Sequence, residues 1–345
     1  MYLRSILLCL FAAALLSACG GSRSHGLTAI GAGIRGPSGL KAMIYTRDLP
    51  HVSAFAYDHA GRLWATTSGS TSHTSDGVYL VSQPGAAARK VVGGIEGPLG
   101  LVWVGDRLIV SSLGRVTEYA GFDGVSFRRS KDILSGPVPG GENNNVVLAP
   151  DGRLVMGISA SCDHCVPASK WSGTILSFRQ NGSDLRVLAK GVRAAYGLAY
   201  LPGTKQLFAS LNQRDDLGSH TPGDWLAIVR SGQDWGFPGC YGQRTKACSR
   251  RPAPVGVLDA HAAAGGVALL TLELAGRYRP SALVAEWQLG KIQRVALRRT
   301  SGGYSGTTSV FLTGFENPLP VISTRNGSIL VGDWGTGIVY RISAS

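Results

Sequence analysis

The segment Asp151-Gly152-Arg153-Leu154-Val155-Met156-Gly157 contains a pattern that recurs along this chain. In this stretch a polar turn is followed by a short apolar strand that ends in a small residue. Six copies of the pattern align on one apolar position, occupied by Leu63, Leu108, Leu154, Leu207, Leu283 and Ile329. Successive copies are separated by 45, 46, 53, 76 and 46 residues. A recurring unit of this length indicates a repeat architecture in which each unit packs against its neighbours.

Each turn lies inside a larger unit. Another apolar segment precedes it, such as Ser53 to Tyr57, and a closing strand often follows, such as Gly77 to Val81. Four short strands in such a unit are typical of a propeller blade, whereas a β-sandwich does not supply a fixed period of this length. The sequence therefore predicts an all-β, six-bladed β-propeller over residues 37–345. The spacing of 76 predicts a long inserted loop between units four and five, at about residues 212–260.

The first residues have the layout of a signal peptide. Arg4 gives a basic start, and Ile6 to Leu16 carries no charge but is too short for a stable membrane span. Leu16-Ser17-Ala18-Cys19 resembles a lipobox, after which the cysteine is acylated. We expect a lipoprotein signal peptide over 1–18, lipidation at Cys19, and a lipid-anchored flexible linker over 19–36. The alternative is ordinary cleavage near Ala18. Either way, we expect the protein in the bacterial cell envelope, outside the cytoplasm, and the lipid would hold it to a membrane.

Four cysteines remain in the exported part: Cys162, Cys165, Cys240 and Cys248. In an oxidising envelope an even set at short separations predicts disulfides, which pair Cys162 with Cys165 and Cys240 with Cys248. A zinc site needs four ligands, and the second pair lacks the spacing of another knuckle. A redox-active motif needs a surrounding βαβ unit, which the sequence does not supply.

The chain is basic, with 34 Lys and Arg against 21 Asp and Glu and a net charge of +13. The positive residues are scattered, and neither a basic helix nor a platform of stacking aromatics is present, so we do not expect nucleic acid as a partner. Attraction to anionic lipid, to an envelope polymer or to an anionic cofactor or substrate stays open.

The predicted insertion carries the most recognisable motifs. These run through Asp215-Asp216-Leu217-Gly218, Pro222-Gly223-Asp224 and Gly232-Gln233-Asp234-Trp235-Gly236-Phe237-Pro238-Gly239-Cys240-Tyr241-Gly242. Together with Asn143-Asn144-Asn145, Gly191-Val192-Arg193, His261, Ala285-Glu286-Trp287 and Gly332-Asp333-Trp334, they resemble the soluble glucose/sorbosone dehydrogenase family. The resemblance covers most of the chain from about Glu142 onward.

The resemblance implies a six-bladed propeller that uses pyrroloquinoline quinone (PQQ) and calcium to oxidise small sugars or aldehydes. It implies cofactor contacts at Arg193, Asn143, Lys291 and Trp334, and a catalytic role for His261. It places Asp215, Asp216 and Asp224 in the calcium and cofactor region. A quinone with three carboxylates needs cationic partners, and calcium needs several oxygen ligands. Read without the resemblance, the aspartates suit a loop turn, His261 an imidazole tied to backbone, and Lys291 an exposed strand edge.

One departure lies at the catalytic position. The family has a histidine, acting as base, immediately before the run that matches Asn143, and this chain has Glu142. A carboxylate with an ordinary pKa of about 4.3 is a weak base unless burial raises that pKa. Two further positions differ from the family, because Ala194 follows Arg193 and Trp225 follows Asp224.

Three functions follow from these observations. The first is an envelope-anchored, PQQ-dependent sugar or aldehyde dehydrogenase with Glu142 as a modified base. The second is a non-catalytic propeller that binds carbohydrate, cell-wall material or a protein. The third is a calcium-dependent lactonase-type hydrolase, for which Glu142, Asn143, Asn212 and Asp333 are the candidate ligands. Convergence of Glu142, Arg193 and His261 on one end of the channel would favour an enzyme.

Overall fold

The computed structural model describes residues 26–134, 142–242, 246–271, 274 and 277–345. Three strands precede the first complete blade: β1 (Thr28–Gly31), β2 (Ile34–Gly36) and β3 (Leu40–Thr46). Apart from strands, the described residues contain two short 3-10 turns, Gly218–His220 and Lys246–Cys248. None of the described segments forms a helix long and apolar enough to cross a membrane.

Six antiparallel sheets follow one another along the chain. Blade one contains β4 (Val52–Tyr57), β5 (Leu63–Thr67), β6 (Gly77–Val81) and β7 (Arg89–Gly93), and blade two contains β8 (Gly100–Val104), β9 (Arg107–Ser112), β10 (Arg115–Phe122) and β11 (Phe127–Leu134). Blade three contains β12 (Asn143–Leu148), β13 (Leu154–Ile158), β14 (Thr174–Phe178) and β15 (Arg186–Lys190).

Blade four contains β16 (Ala194–Tyr200), β17 (Leu207–Asn212), β18 (Gly223–Val229) and β20 (Gly256–Ala260), while β19 (Gln233–Asp234) pairs in parallel with β15 of blade three. Blade five contains β21 (Ala264–Leu270), β22 (Ser281–Glu286), β23 (Lys291–Thr300) and β24 (Gly303–Thr313). Blade six contains β25 (Pro318–Ser323), β26 (Ile329–Asp333) and β27 (Ile338–Ala344).

The ring closes by sharing one sheet between the two ends of the described chain. The innermost strands β4, β8, β12, β16, β21 and β25 contact one another in sequence, and β25 returns to β4. β3 supplies the fourth, outermost strand of blade six by pairing antiparallel with β27. Because the last blade contains both early and late strands, unfolding either end also breaks that blade.

Packing between blades explains the aligned apolar position of the repeat. Leu63, Leu108, Leu154, Leu207, Leu283 and Ile329 lie in the second strands of the six blades, and each is at most 1% exposed. Glycine lets the inner strands approach closely: a Cβ on Gly197 of blade four would lie 2.4 Å from the Gly265 carbonyl oxygen of blade five. A larger residue at that position would force the two blades apart.

The structure confirms the all-β, six-bladed propeller. The single long loop predicted over 212–260 is not confirmed, because β18, β19 and β20 lie within that range. The sequence between β18 and β20 instead folds back on blade three through β19 and is stapled by the Cys240–Cys248 disulfide. The hairpin of β1 and β2 joins the sheet of blade five through β24, so the propeller begins before residue 37. The predicted signal peptide and Cys19 lie outside the described residues.

Candidate functional site

A cavity of about 590 Å³ opens at one end of the propeller channel. Its wall combines the starts of the inner strands with the residues that follow the second strands, and every blade contributes. One lining residue from each blade in turn is Ser68, Leu113, Glu142, Asn212, Trp287 and Trp334. We call this space the mouth cavity.

Two tryptophans lie side by side in the wall of the mouth cavity. Trp334 packs against Trp287 in an edge-to-face arrangement with ring centroids 5.5 Å apart, and it also contacts the His51 ring at 4.4 Å. Its indole N–H donates to the Ser68 carbonyl at 2.9 Å, which joins blade six to blade one. Trp334, predicted as a cofactor contact, therefore lies in the cavity wall and is held rigidly there.

Glu142 brings a carboxylate to the same cavity. Its side chain is exposed, and its carbonyl oxygen accepts a hydrogen bond from Ser159 N at 3.1 Å. Asn143 is buried beside it and donates through Nδ2 to the Ser112 and Arg115 carbonyls at 2.8 and 3.2 Å. Asn143 thus braces blade three against blade two, and its Oδ1 has no hydrogen-bond partner among the described residues.

Tyr196 divides the channel. Its ring lines the mouth cavity and also a second cavity of about 330 Å³ toward the other end of the inner strands. Its hydroxyl crosses from blade four to donate to the Ser53 carbonyl of blade one at 3.1 Å. Burial raises the pKa of Tyr196, and the nearby charge of Glu142 raises it further. The hydroxyl therefore stays protonated and forms part of the floor of the mouth cavity.

Arg193 is not among the residues that line the mouth cavity, and its charge is already matched. Its Nε lies 2.5 Å from Oδ1 of Asp163, which belongs to the loop closed by the Cys162–Cys165 disulfide. The other oxygen of Asp163 accepts a hydrogen bond from Asp215 N at 2.7 Å. The disulfide loop thus presents a carboxylate to the arginine that the resemblance assigns to the cofactor.

His261, predicted as catalytic, is held by the same group of residues. Its Nδ1 contacts the Asp215 carboxylate, and its Nε2 lies 3.0 Å from the Gly218 carbonyl. Both ring nitrogens therefore face acceptors, which leaves neither free to take a proton from a ligand. These contacts do not support the catalytic role predicted for His261. They agree with the alternative interpretation, in which the imidazole is tied to the backbone.

The three aspartates predicted for calcium do not form one ligand set. Asp216 is paired with Arg214 through two contacts of 2.7 Å, and this hydrogen bonding lowers the pKa of Asp216 to about 2. Asp224 is buried, and its two oxygens accept hydrogen bonds from Gln213 N at 2.7 Å and Ala264 N at 2.9 Å. Burial raises the pKa of Asp224 to about 6.

Lys291 is likewise occupied. Its ammonium contacts the Asp259 carboxylate and lies 3.4 Å from Oε2 of the fully buried Glu286. Burial lowers the pKa of Lys291, but the hydrogen bond to Asp259 and the charge of Glu286 outweigh it, so the net shift is upward. Burial raises the pKa of Glu286 itself to about 7. The three side chains bridge blades four and five rather than face the mouth cavity.

These contacts test whether the predicted cofactors fit. Calcium takes six to eight oxygen ligands, yet no three His, Cys, Asp or Glu side chains of the described residues converge to hold a metal. The lactonase arrangement meets the same obstacle, because both oxygens of Asp333 accept backbone N–H groups of Glu316 and Asn317. The described lining of the mouth cavity contains no lysine or arginine for the carboxylates of PQQ. In this arrangement the predicted residues fit neither calcium nor PQQ.

One pair of residues at the cavity rim was not predicted from the sequence. His73 lines the mouth cavity, and its Nδ1 lies 2.7 Å from Oδ2 of the buried Asp76. Both residues lie between β5 and β6, outside the aligned strands of the repeat and outside the motifs of the resemblance. No sequence pattern distinguishes this pair from ordinary loop residues.

No protein-family model matches the chain. A stretch of 223 residues is 23% identical to an uncharacterised protein of Borreliella burgdorferi, and the match spans 57% of this chain and 58% of that relative.

Solved structures show a closer likeness in fold. An AA12 family carbohydrate-active enzyme of Trichoderma reesei has a TM-score of 0.75 at 13% identity and covers 90% of this chain and 97% of its own. The PQQ domain of pyranose dehydrogenase from Coprinopsis cinerea gives 0.72 at 16%, covering 90% and 97%. PQQ-bound aldose sugar dehydrogenase from Streptomyces coelicolor gives 0.71 at 17%, covering 90% and 100%. The chain therefore shares its six-bladed propeller fold with PQQ-dependent sugar dehydrogenases.

Proposed function

We propose that this protein is a sugar-dehydrogenase-like propeller that binds a neutral sugar or related aldehyde in the mouth cavity. The observation that carries the proposal is the lining, which combines Trp287 and Trp334 with Glu142 and Asn212 and includes no cation among its described residues. Sugars present apolar C–H faces that pack on aromatic rings, and hydroxyls that need fixed polar partners. The volume of about 590 Å³ suits a small ligand.

Glu142 has a defined part in this proposal. An ionised carboxylate only accepts hydrogen bonds, and its two oxygens can hold two neighbouring hydroxyls of one sugar. Glu142 is also the acidic side chain in the described lining, so it is the candidate base if the bound sugar reacts. Tyr196 forms the floor of the proposed site, because its ring lines both the mouth cavity and the second cavity.

The second candidate is PQQ-dependent oxidation of the sugar, favoured by the PQQ-bound enzyme that shares this fold. If PQQ were bound it would supply the hydride acceptor, and Glu142 would be the residue placed to take a hydroxyl proton. As arranged the residues do not fit PQQ, and Arg193 would have to leave Asp163 before it could contact the cofactor. Calcium-dependent PQQ binding that weakens in Arg193→Ala would support this candidate, as would dye reduction on addition of a sugar.

A tryptophan-fluorescence screen tests the binding proposal. D-glucose, D-galactose, D-mannose and D-xylose are titrated into the full-length protein in a detergent that contains no sugar. We expect at least one aldose to change the emission saturably, because Trp287 and Trp334 line the cavity. Glu142→Gln is expected to lower the affinity for that aldose about 10-fold, since the charged acceptor is lost. Failure of all four aldoses to give a saturable change would refute the proposal.

We also propose that the protein is anchored on the cell envelope through Cys19. Cys19→Ala is expected to move the protein from the membrane fraction to the soluble fraction and to abolish incorporation of labelled palmitate. Cys9→Ala is the matched control, since Cys9 lies in the segment that cleavage removes, and it should label like the wild type. Unchanged labelling of Cys19→Ala would contradict the anchor.

A further inference from the structure

The rim of the mouth cavity contains a histidine, His73, that was not predicted from the sequence. His73 is half exposed there, while the Asp76 side chain is fully buried beneath it. Asp76 accepts three hydrogen bonds: one from His73 Nδ1 at 2.7 Å, one from Gly69 N at 2.7 Å and one from Gly97 N at 3.0 Å. Its carboxylate is therefore fixed from both blade one and blade two.

This contact determines which ring nitrogen of His73 is available. A carboxylate only accepts, so Nδ1 must carry the proton that joins His73 to Asp76. In the neutral imidazole Nε2 is then an acceptor with a free lone pair. The charged group nearest Nε2 is Glu96, whose Oε1 is 3.9 Å away, beyond hydrogen-bond distance. Nε2 is thus left for a donor that enters the cavity.

We infer that His73 is a sugar-binding residue whose Nε2 accepts a hydrogen bond from one ligand hydroxyl, with Asp76 as its positioning residue. The inference rests on the proposed function, because it concerns a ligand of the same cavity. It places two acceptors on parts of the wall that are separated by blade two, with His73 on blade one and Glu142 on blade three. A sugar bound between them would donate hydrogen bonds from two separate hydroxyl groups.

The test combines removal of the His73 side chain with removal of single hydroxyls from the ligand, as in a double-mutant cycle. The aldose that binds the wild type is compared by calorimetry with its monodeoxy analogues, using wild type and His73→Phe. We expect one deoxy analogue to bind the wild type about 10-fold more weakly than its parent. The affinity of His73→Phe for the parent aldose should be about 10-fold lower than that of the wild type. His73→Phe should bind that deoxy analogue no more weakly than the parent aldose. His59→Phe is the control, because His59 contacts the Gly105 carbonyl, away from the cavity.

A spectroscopic readout tests Asp76 without any ligand. ¹⁵N NMR of labelled histidine should assign His73 to the Nδ1-protonated tautomer in the wild type, and Asp76→Asn should lose that preference. An Nε2-protonated His73 in the wild type would overturn the inference.

The calorimetric outcomes separate the two proposals. Suppose that the wild type binds an aldose, and that His73→Phe binds this aldose as tightly and still binds the deoxy analogue more weakly. This inference then fails, and the proposed function stands. If the wild type binds none of the aldoses, the proposed function fails, and a sugar-binding role for His73 fails with it.

Discussion

Asp224→Ala is expected to lower the free energy of unfolding by about 3 kcal/mol. The carboxylate of Asp224 accepts the N–H groups of Gln213 and Ala264, and Asn212 Nδ2 lies 3.4 Å away. Alanine would leave these buried donors without partners. Ala264 begins the inner strand of blade five, so the contact also joins two blades at the mouth cavity.

Urea unfolding at several pH values checks this prediction. Burial raises the pKa of Asp224 to about 6 in the folded state, above its value in the unfolded chain. The folded state therefore binds the proton more tightly, and the stability gained from it is present at pH 4 and lost as pH rises through 6. Wild-type stability should fall between pH 4.5 and 7, and Asp224→Asn should show a smaller fall. Part of the pH dependence of the unfolding free energy should remain in that variant, because the pKa of Glu286 is also raised, to about 7.

Asp215→Ala is the matched control, because Asp215 is half exposed and lies in the segment between β17 and β18, the strand that contains Asp224. We expect it to change the unfolding free energy by less than about 1 kcal/mol. An Asp224→Ala protein with the wild-type urea midpoint would contradict the bracing role. It would also return Asp224 to the set of candidate ligands.

Trp287→Ala is expected to weaken sugar binding by about 30- to 100-fold. Trp287 follows β22, lines the mouth cavity and packs edge to face on Trp334, so removing it deletes half of the aromatic wall. Unlike Trp334, it makes no indole hydrogen bond that ties two blades together among the described contacts. Its loss should therefore affect the ligand more than the fold.

Calorimetry is the suitable measurement, because removing a tryptophan changes the fluorescence itself. Trp287→Phe should recover most of the affinity, since it restores an aromatic face. Trp171→Ala is the control: Trp171 packs in blade three against Lys170, outside the cavity. Wild-type affinity in Trp287→Ala, with the thermal midpoint unchanged, would exclude the tryptophan wall as the sugar site.

The fold was predictable from the sequence because one buried position repeats. Each blade needs an apolar residue at the start of its second strand, and this gives the aligned Leu and Ile residues. The same register also locates the cavity. The residue five places after the aligned position lines the cavity in four blades, as Ser68, Leu113, Asn212 and Trp334. Trp334 was predicted, whereas Trp287, one place earlier in its blade, was not assigned to the site.

The state of each candidate side chain was not predictable, because it depends on partners from distant loops. Arg193 suits a cofactor by type, but Asp163 from the disulfide loop already pairs with it. Lys291 and His261 are engaged by carboxylates in the same way. The disulfides were predicted correctly, since the four cysteines fall into two pairs at short separations. That Cys162–Cys165 holds a carboxylate against Arg193 requires the tertiary structure.

The mouth cavity is expected to bind a neutral sugar without help from a quinone. The decisive measurement is isothermal titration of the full-length protein with the responding aldose, in the absence of PQQ and calcium. We predict one-to-one binding whose affinity is unchanged when PQQ and calcium are added. Absence of heat with sugar alone, followed by calcium-dependent PQQ binding and sugar binding only afterwards, would contradict the account and identify the protein as a PQQ-dependent dehydrogenase.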